Sequence, residues 1–202
     1  MSRVTDSTKK IITETALKMF IEDSISKVRL YDIADKANVG EATIYRHFGN
    51  KQNVVLSAAI ELSNRISVRY LNTDDSLNGY ERIKGFYNVY LDIFKKHSYF
   101  FSFLNELDTY LLQEEFDGRE KYQDNLDSYR ELFFKNYELG INDGSLRKIN
   151  DLDSFYYSTT HAITSLCKKL AIKKIIAKQD ENIDKEKEIE TLITIFLNYL
   201  KK

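Results

Sequence analysis

Apolar residues recur at helical spacing along almost the whole chain. From Asp6 to Phe20 the positions Ile11, Ile12, Ala16, Leu17, Met19 and Phe20 predict a first helix, with Asp6 or Ser7 able to cap its start. The period breaks at Glu22-Asp23-Ser24-Ile25-Ser26. It resumes at Leu30, Ile33, Ala34 and Ala37, a second, short helix whose first turn carries Asp32, favourable to the helix dipole. Asn38-Val39-Gly40 interrupts again: Asn tolerates the left-handed conformation that ends a helix abruptly, and Val39 can plug the angle between two helices. In the next segment, Glu41 to Phe48, Ile44 and Phe48 fall at i and i+4 and face inward together, which leaves Ala42, Thr43, Tyr45, Arg46 and His47 to point elsewhere. Two short helices joined by a tight turn predict a helix-turn-helix.

Gly49 ends the third helix and Asn50 is a good cap for a long fourth one, which runs from Lys51 through Val54, Val55, Leu56, Ala58, Ala59, Ile60, Leu62 and Ile66 towards Tyr70. A polar loop follows at Asn72-Thr73-Asp74-Asp75-Ser76 and Asn78-Gly79. Amphipathic blocks then span Tyr80 to His97, Ser98 to Leu112, Tyr122 to Leu139, Leu152 to Lys178 and Asp184 to Lys202. The predicted architecture is all-α with about nine helices: a three-helix reader over residues 1–51 and a helical bundle over residues 52–202.

Composition agrees with helix. The chain has no proline and seven glycines, so the turns of β-sandwiches and the glycine-rich phosphate loops of nucleotide enzymes are missing. A single cysteine, Cys167, excludes an internal disulfide framework, and its apolar helical setting suits an inert buried thiol. His97 and His161 lack partners at metal-ligand spacing, and no catalytic constellation stands out; neither metal, cofactor nor enzymatic activity is expected. With no apolar segment of signal-peptide or membrane-span length, a cytoplasmic protein without membrane contact is expected. Thirty basic against 31 acidic residues make no polycation, so any nucleic-acid contact must be local. Through Lys51 there are nine basic and seven acidic residues. Were this segment to bind DNA, so weak an excess would favour two copies acting on one palindromic duplex site, about one DNA turn or a multiple apart.

The pattern Ile11-Ile12-(x3)-Ala16-Leu17-(x2)-Phe20, followed by Ile33-Ala34-(x2)-Ala37-Asn38-Val39-Gly40-Glu41-Ala42-Thr43-Ile44-Tyr45-Arg46-His47-Phe48-(x2)-Lys51, closely resembles the N-terminal DNA-binding domain of TetR-family regulators. The likeness covers the first quarter of the chain; the remainder matches that family in length and helical pattern only. Ser24 stands where the family usually has Gly, Arg29 where a capping Thr is common, Asn38 for the Gly of the turn and Gly40 for the cap Ser of the third helix. Asn38 and Gly40 are physically tolerable, whereas Arg29 forfeits a side-chain cap and instead offers a cation to a DNA phosphate.

The resemblance implies that the third helix enters the major groove, with Glu41, Ala42 and Thr43 nearest the base edges. Ala42 and the Thr43 methyl suit thymine methyl groups. Glu41 either accepts from a cytosine amine or simply favours the helix dipole. Tyr45, Arg46, His47 and Lys51 are then candidates for phosphate contacts, each also readable as a solvated surface residue, and Lys51 opens a helix whose N-terminus itself favours an anion.

In the bundle, Phe155, Ile163, Leu166, Leu170 and Ile175, then Ile189, Leu192, Ile193, Phe196, Leu197 and Leu200 are more apolar than a monomer's outer face requires. By the resemblance these two helices pair with their copies in a homodimer; the alternative is packing within the body. Fourteen Tyr and twelve Phe supply aromatic walls. Phe86, Tyr87, Tyr90, Phe94, Phe100, Phe103, Tyr110, Tyr137, Tyr156 and His161 have the makeup either of a core or of a pocket for a small hydrophobic or aromatic effector, whose binding would release a repressor from its operator. Two other functions compete: an all-helical small-molecule carrier or enzyme without specific DNA binding, and an adaptor that binds a protein partner through its last helices.

Overall fold

The computed structural model describes residues 2–70, 74, 76–112, 119–172 and 182–202. Among them are nine helices: α1 (Ser2–Glu22), α2 (Leu30–Lys36), α3 (Glu41–Phe48), α4 (Lys51–Tyr70), α5 (Gly79–His97), α6 (Tyr99–Leu111), α7 (Arg119–Asn142), α8 (Leu152–Ala171) and α9 (Lys185–Leu200). No strand longer than an isolated bridge between Leu146 and Lys201 occurs among the described residues. Ile175 and the end of the block expected to reach Lys178 lie outside them.

The chain divides into two compact units. One comprises residues 1–67 and 103–125; the other comprises 68–102 and 126–202. This differs from a division at 51/52, because α4 buries Val54, Val55, Ala58, Ala59 and Leu62 and, as far as Ser67, belongs with α1, α2 and α3. The same unit takes in most of α6, with Phe103 and Leu107 buried in it.

In the first unit Ile12, Ala16, Leu17 and Phe20 of α1, Ile33 and Ala34 of α2, and Ile44 and Phe48 of α3 form the interior. Outside it, Arg65 of α4 bridges Glu14 of α1 at 3.1 Å and Glu61 of its own helix at 2.7 Å.

The second unit is an aromatic-centred bundle in which α5 packs on α8 and α9, and α8 on α9. Phe133 of α7 is fully buried, with its ring 5.1 Å from Phe86, 6.0 Å from Tyr87 and 5.2 Å from Tyr156, in edge or tilted arrangements that rings prefer. The Tyr87 hydroxyl, 2.7 Å from Thr159 Oγ1, meets the need of a buried phenol for a partner. At the other end of α5, Gly79 sits so near Gly140 that a Cβ there would lie 2.2 Å from the Gly140 Cα. Around it the Gly79 and Tyr80 amides donate to Asp143 (2.7 Å) and Ser145 (3.0 Å), while Asn78 caps α5 through the Glu81 amide.

Candidate nucleic-acid interface

The turn between α2 and α3 is built as the sequence suggests. Asn38 has φ 53°, the left-handed conformation. Its amide donates to the Asp35 carbonyl (3.1 Å) and the Val39 amide to the Ala34 carbonyl (3.0 Å). This nested pair closes the end of α2 and redirects the chain. Gly40 then takes an extended conformation as the cap of α3 without a side-chain bond. At the far end Gly49 turns at φ 78°, and the Asn50 side chain accepts from the Asn53 amide at 2.9 Å to start α4. Asn53 returns a bond to the Phe48 carbonyl at 2.7 Å, which ties the end of α3 to the first turn of α4.

Helix α3 is thus held by both ends and by two buried side chains, Ile44 and Phe48. Its opposite face is open. Glu41, Ala42, Tyr45 and Arg46 are exposed, Tyr45 by 50 %, and Thr43 and His47 are half-buried. An eight-residue helix that presents small, acidic, phenolic and basic side chains on one face has the width and the polar variety that major-groove reading requires. Arg29 is exposed as the cap of α2 and makes no side-chain cap bond; the cap is instead half made in reverse, its own amide donating to the Asp32 carboxylate at 3.0 Å. Tyr31, 65 % exposed on α2, is a further surface aromatic of this unit that the sequence pattern did not single out. Its only signal is a large apolar ring opposite Ile33 and Ala34 on a short helix.

Lys51 is placed differently from the other candidates. Its ammonium donates to the Ile25 carbonyl at 2.6 Å and lies 5.4 Å from the centre of the Tyr110 ring. Partial burial there pushes it below the usual lysine range.

The bundle residues singled out by the sequence fall in different places. Ile163, Leu170, Ile193, Phe196, Leu197 and Leu200 are buried within the single chain, where they pack α8 and α9 against their own protomer. The helical period explains it: the strongest apolar stripe of each helix faces its own core. Phe155, Leu166 and Leu192 are half-buried, and the large apolar side chains left open on α8 and α9 are Tyr157, Ile195 and Tyr199, the last stacked on Phe155 at 5.4 Å. Of the proposed pocket residues, Phe86, Tyr90 and Tyr156 do come together, Phe86 lying 6.3 Å from Tyr90 and 6.4 Å from Tyr156. Burial pushes the Tyr156 phenol up to about 12 and raises those of Tyr87 and Tyr90 as well, so all three are neutral, uncharged walls. Tyr137 instead fastens the chain after α7: its hydroxyl donates to the Arg147 carbonyl and accepts from the Ile149 amide. His161 is exposed beside Tyr157, not among the buried rings, because it lies on the outer face of α8. Phe103 and Tyr110 belong to the other unit. Cys167 is buried and its thiol pushed up to about 12, which leaves it unreactive as a nucleophile.

Residues 12–58 match the family described as bacterial regulatory proteins, tetR family. Over 44 residues the chain is 48 % identical to the "Probable acrEF/envCD operon repressor" of Escherichia coli K12, an alignment covering 22 % of this chain and 20 % of that protein. The chain thus spans about a fifth of the length of this curated relative. Solved structures resemble it throughout. The fatty acid degradation regulator FadR from Bacillus halodurans superposes with TM-score 0.64 at 18 % identity, covering 94 % of both chains. A regulator from Saccharomonospora viridis in complex with choline gives 0.68 at 19 %, covering 98 % of this chain and 99 % of that one. The fold is that of these regulators.

Proposed function

We propose, from the premise of a tetR-family reader at the N-terminus, that the chain is a DNA-binding transcriptional regulator, a repressor that acts as a homodimer on a palindromic operator. The observation that carries this reading is the open face of α3. Glu41, Ala42 and Thr43 would meet base edges and Tyr45, Arg46 and His47 the phosphates, while Ile44 and Phe48 keep the helix rigid enough to hold a register. Arg29, the exposed cap of α2, and Tyr31, exposed on α2, would suit the backbone contacts that the first helix of such a motif makes.

A second copy would cover Ile195 and Tyr199 on α9 together with the half-buried Phe155, Leu166 and Leu192. Pairing supplies the second reader that the near-neutral charge of one reader calls for. In the second unit, the neutral rings Phe86, Tyr90 and Tyr156 suit a small hydrophobic or aromatic effector. Such a molecule would release the operator only if it bound the released state more tightly. No helix among the described residues is long and apolar enough to cross a membrane, in keeping with a regulator that meets DNA.

Selection of random duplexes by the purified protein tests the reading. Recovery of a palindrome supports it, with Tyr45→Ala and Arg46→Ala weakening its binding and Arg46→Ala lowering the salt slope by about 0.9 for each phosphate it no longer neutralises. No enrichment over random DNA would overturn it and leave a helical small-molecule carrier as the better reading.

A further inference from the structure

The turn between α1 and α2 is gripped at a single residue by two charged side chains from distant parts of the chain. Ile25 is 1 % exposed. Its amide donates to the Glu106 carboxylate of α6 at 2.9 Å, and its carbonyl accepts from the Lys51 ammonium of α4 at 2.6 Å. Tyr110, one turn along α6 from Glu106, faces the same ammonium. Ile25 lies outside any helix, so neither backbone group has a helical partner, and both are partly buried. Bonds to full charges are about twice as strong as neutral ones. Anionic and cationic side chains here satisfy opposite ends of one residue and tie α4, α6 and the turn together.

We propose that Lys51 and Glu106 are positioning residues of the reader: they fix the α1–α2 turn through Ile25, and Lys51 thereby serves operator binding from inside the protein instead of at a phosphate. The proposal rests on the DNA-binding function above and deepens it. The turn leads directly into α2, and α2 packs on α3, so the placement of Ile25 sets where the recognition helix begins its approach. The reader therefore extends beyond its 50-residue sequence motif to include a segment of α6.

The full chain tests this on its selected duplex, with Kd followed against salt for Lys51→Met, Glu106→Ala, Glu106→Gln and the Lys51→Met/Glu106→Ala double variant. Lys51→Met and Glu106→Ala are expected to weaken binding roughly tenfold, the size of one charge-assisted hydrogen bond, with the salt slope unchanged. Glu106→Gln keeps an acceptor for the Ile25 amide and is expected to stay within about threefold of the parent, and the double variant to lose less than the product of the single losses. A Lys51→Met slope lower by about 0.9 per reader would show a phosphate contact and overturn the proposal. Amide exchange at Ile25 gives a reading independent of DNA. It should quicken in Glu106→Ala and not in Glu106→Gln, and equal protection in all three proteins sinks the grip. If the parent enriches no duplex, the regulator reading fails, while the exchange measurement still decides whether Glu106 holds Ile25.

Discussion

Ala34 and Val39 are joined by a 3.0 Å hydrogen bond, the Val39 amide to the Ala34 carbonyl, across a single left-handed residue. That bond and the φ of 53° at Asn38 decide the angle at which α3 leaves α2. Asn38→Ala should lower the stability of the reader by about 1 kcal/mol, because an alanine resists the left-handed conformation; Asn38→Gly should be neutral or mildly stabilising. Urea unfolding of the two variants, side by side with the parent, measures both signs. An alanine variant as stable as the parent would mean that the turn has relaxed to another conformation.

The bundle separates core from open face. Ile163→Ala empties a fully buried site and should cost about 2–5 kcal/mol, seen as a lower denaturant midpoint. Ile195→Lys alters a residue 59 % exposed in the single chain, so it should leave the midpoint of the protomer nearly unchanged and shift a homodimer towards monomer in sedimentation. Retention of the parent's oligomeric state by Ile195→Lys and Tyr199→Ser together would exclude this face as the pairing surface.

Gly79 and Gly140 bring α5 and α7 backbone to backbone. A Cβ at position 79 would stand 2.1 Å from the Gly140 nitrogen and 2.9 Å from the Asn136 carbonyl oxygen, and neither can move like a side-chain tip. Gly79→Ala should destabilise the bundle by about 1–3 kcal/mol or more. Gly85→Ala on the same helix, where nothing lies within 4 Å, serves as the control and should be neutral to stabilising. Equal stability of the two variants would contradict the close approach.

Two aspartates are expected to add stability that acid removes. Asp143 is held below the ordinary carboxylate range by the Ser145 hydroxyl and then by the Gly79 and Ser145 amides; Asp151 is lowered by the Ser154 amide and hydroxyl. A depressed folded value means the unfolded chain binds the proton first, so these bonds contribute in full above the unfolded value near about 3.9 and fade as pH falls through the lower folded one. Thermal melts of Asp151→Asn and Asp143→Asn should lie below the parent at about pH 7, and the gap should close as pH falls through the lowered folded values. A constant gap at all pH values would show that the carboxylate charge is not what stabilises these turns.

Much of this was legible locally. The apolar period at Ile11 to Phe20, Ile33 to Ala37 and Ile44 to Phe48 placed the reader helices, and Asn38 and Gly49 marked their turns, because capping and left-handed backbone are settled by a few adjacent residues. Whether an apolar residue faces its own core or a partner was not legible. Ile163 and Ile195 look alike in sequence, and only the packing of α8 and α9 on α5 separates a buried site from an open one. The role of Lys51 was likewise hidden. Its place at the head of α4 suggests a phosphate, yet its bond is to a backbone carbonyl 26 residues away. Glu106 lies 81 residues from the amide it accepts from, a separation at which no periodicity or spacing rule operates. What the sequence determined by itself was the helices, their turns and the open face of α3. What tertiary structure alone decided was which charges turn inward, because that depends on unpaired backbone groups that exist only once distant helices have met.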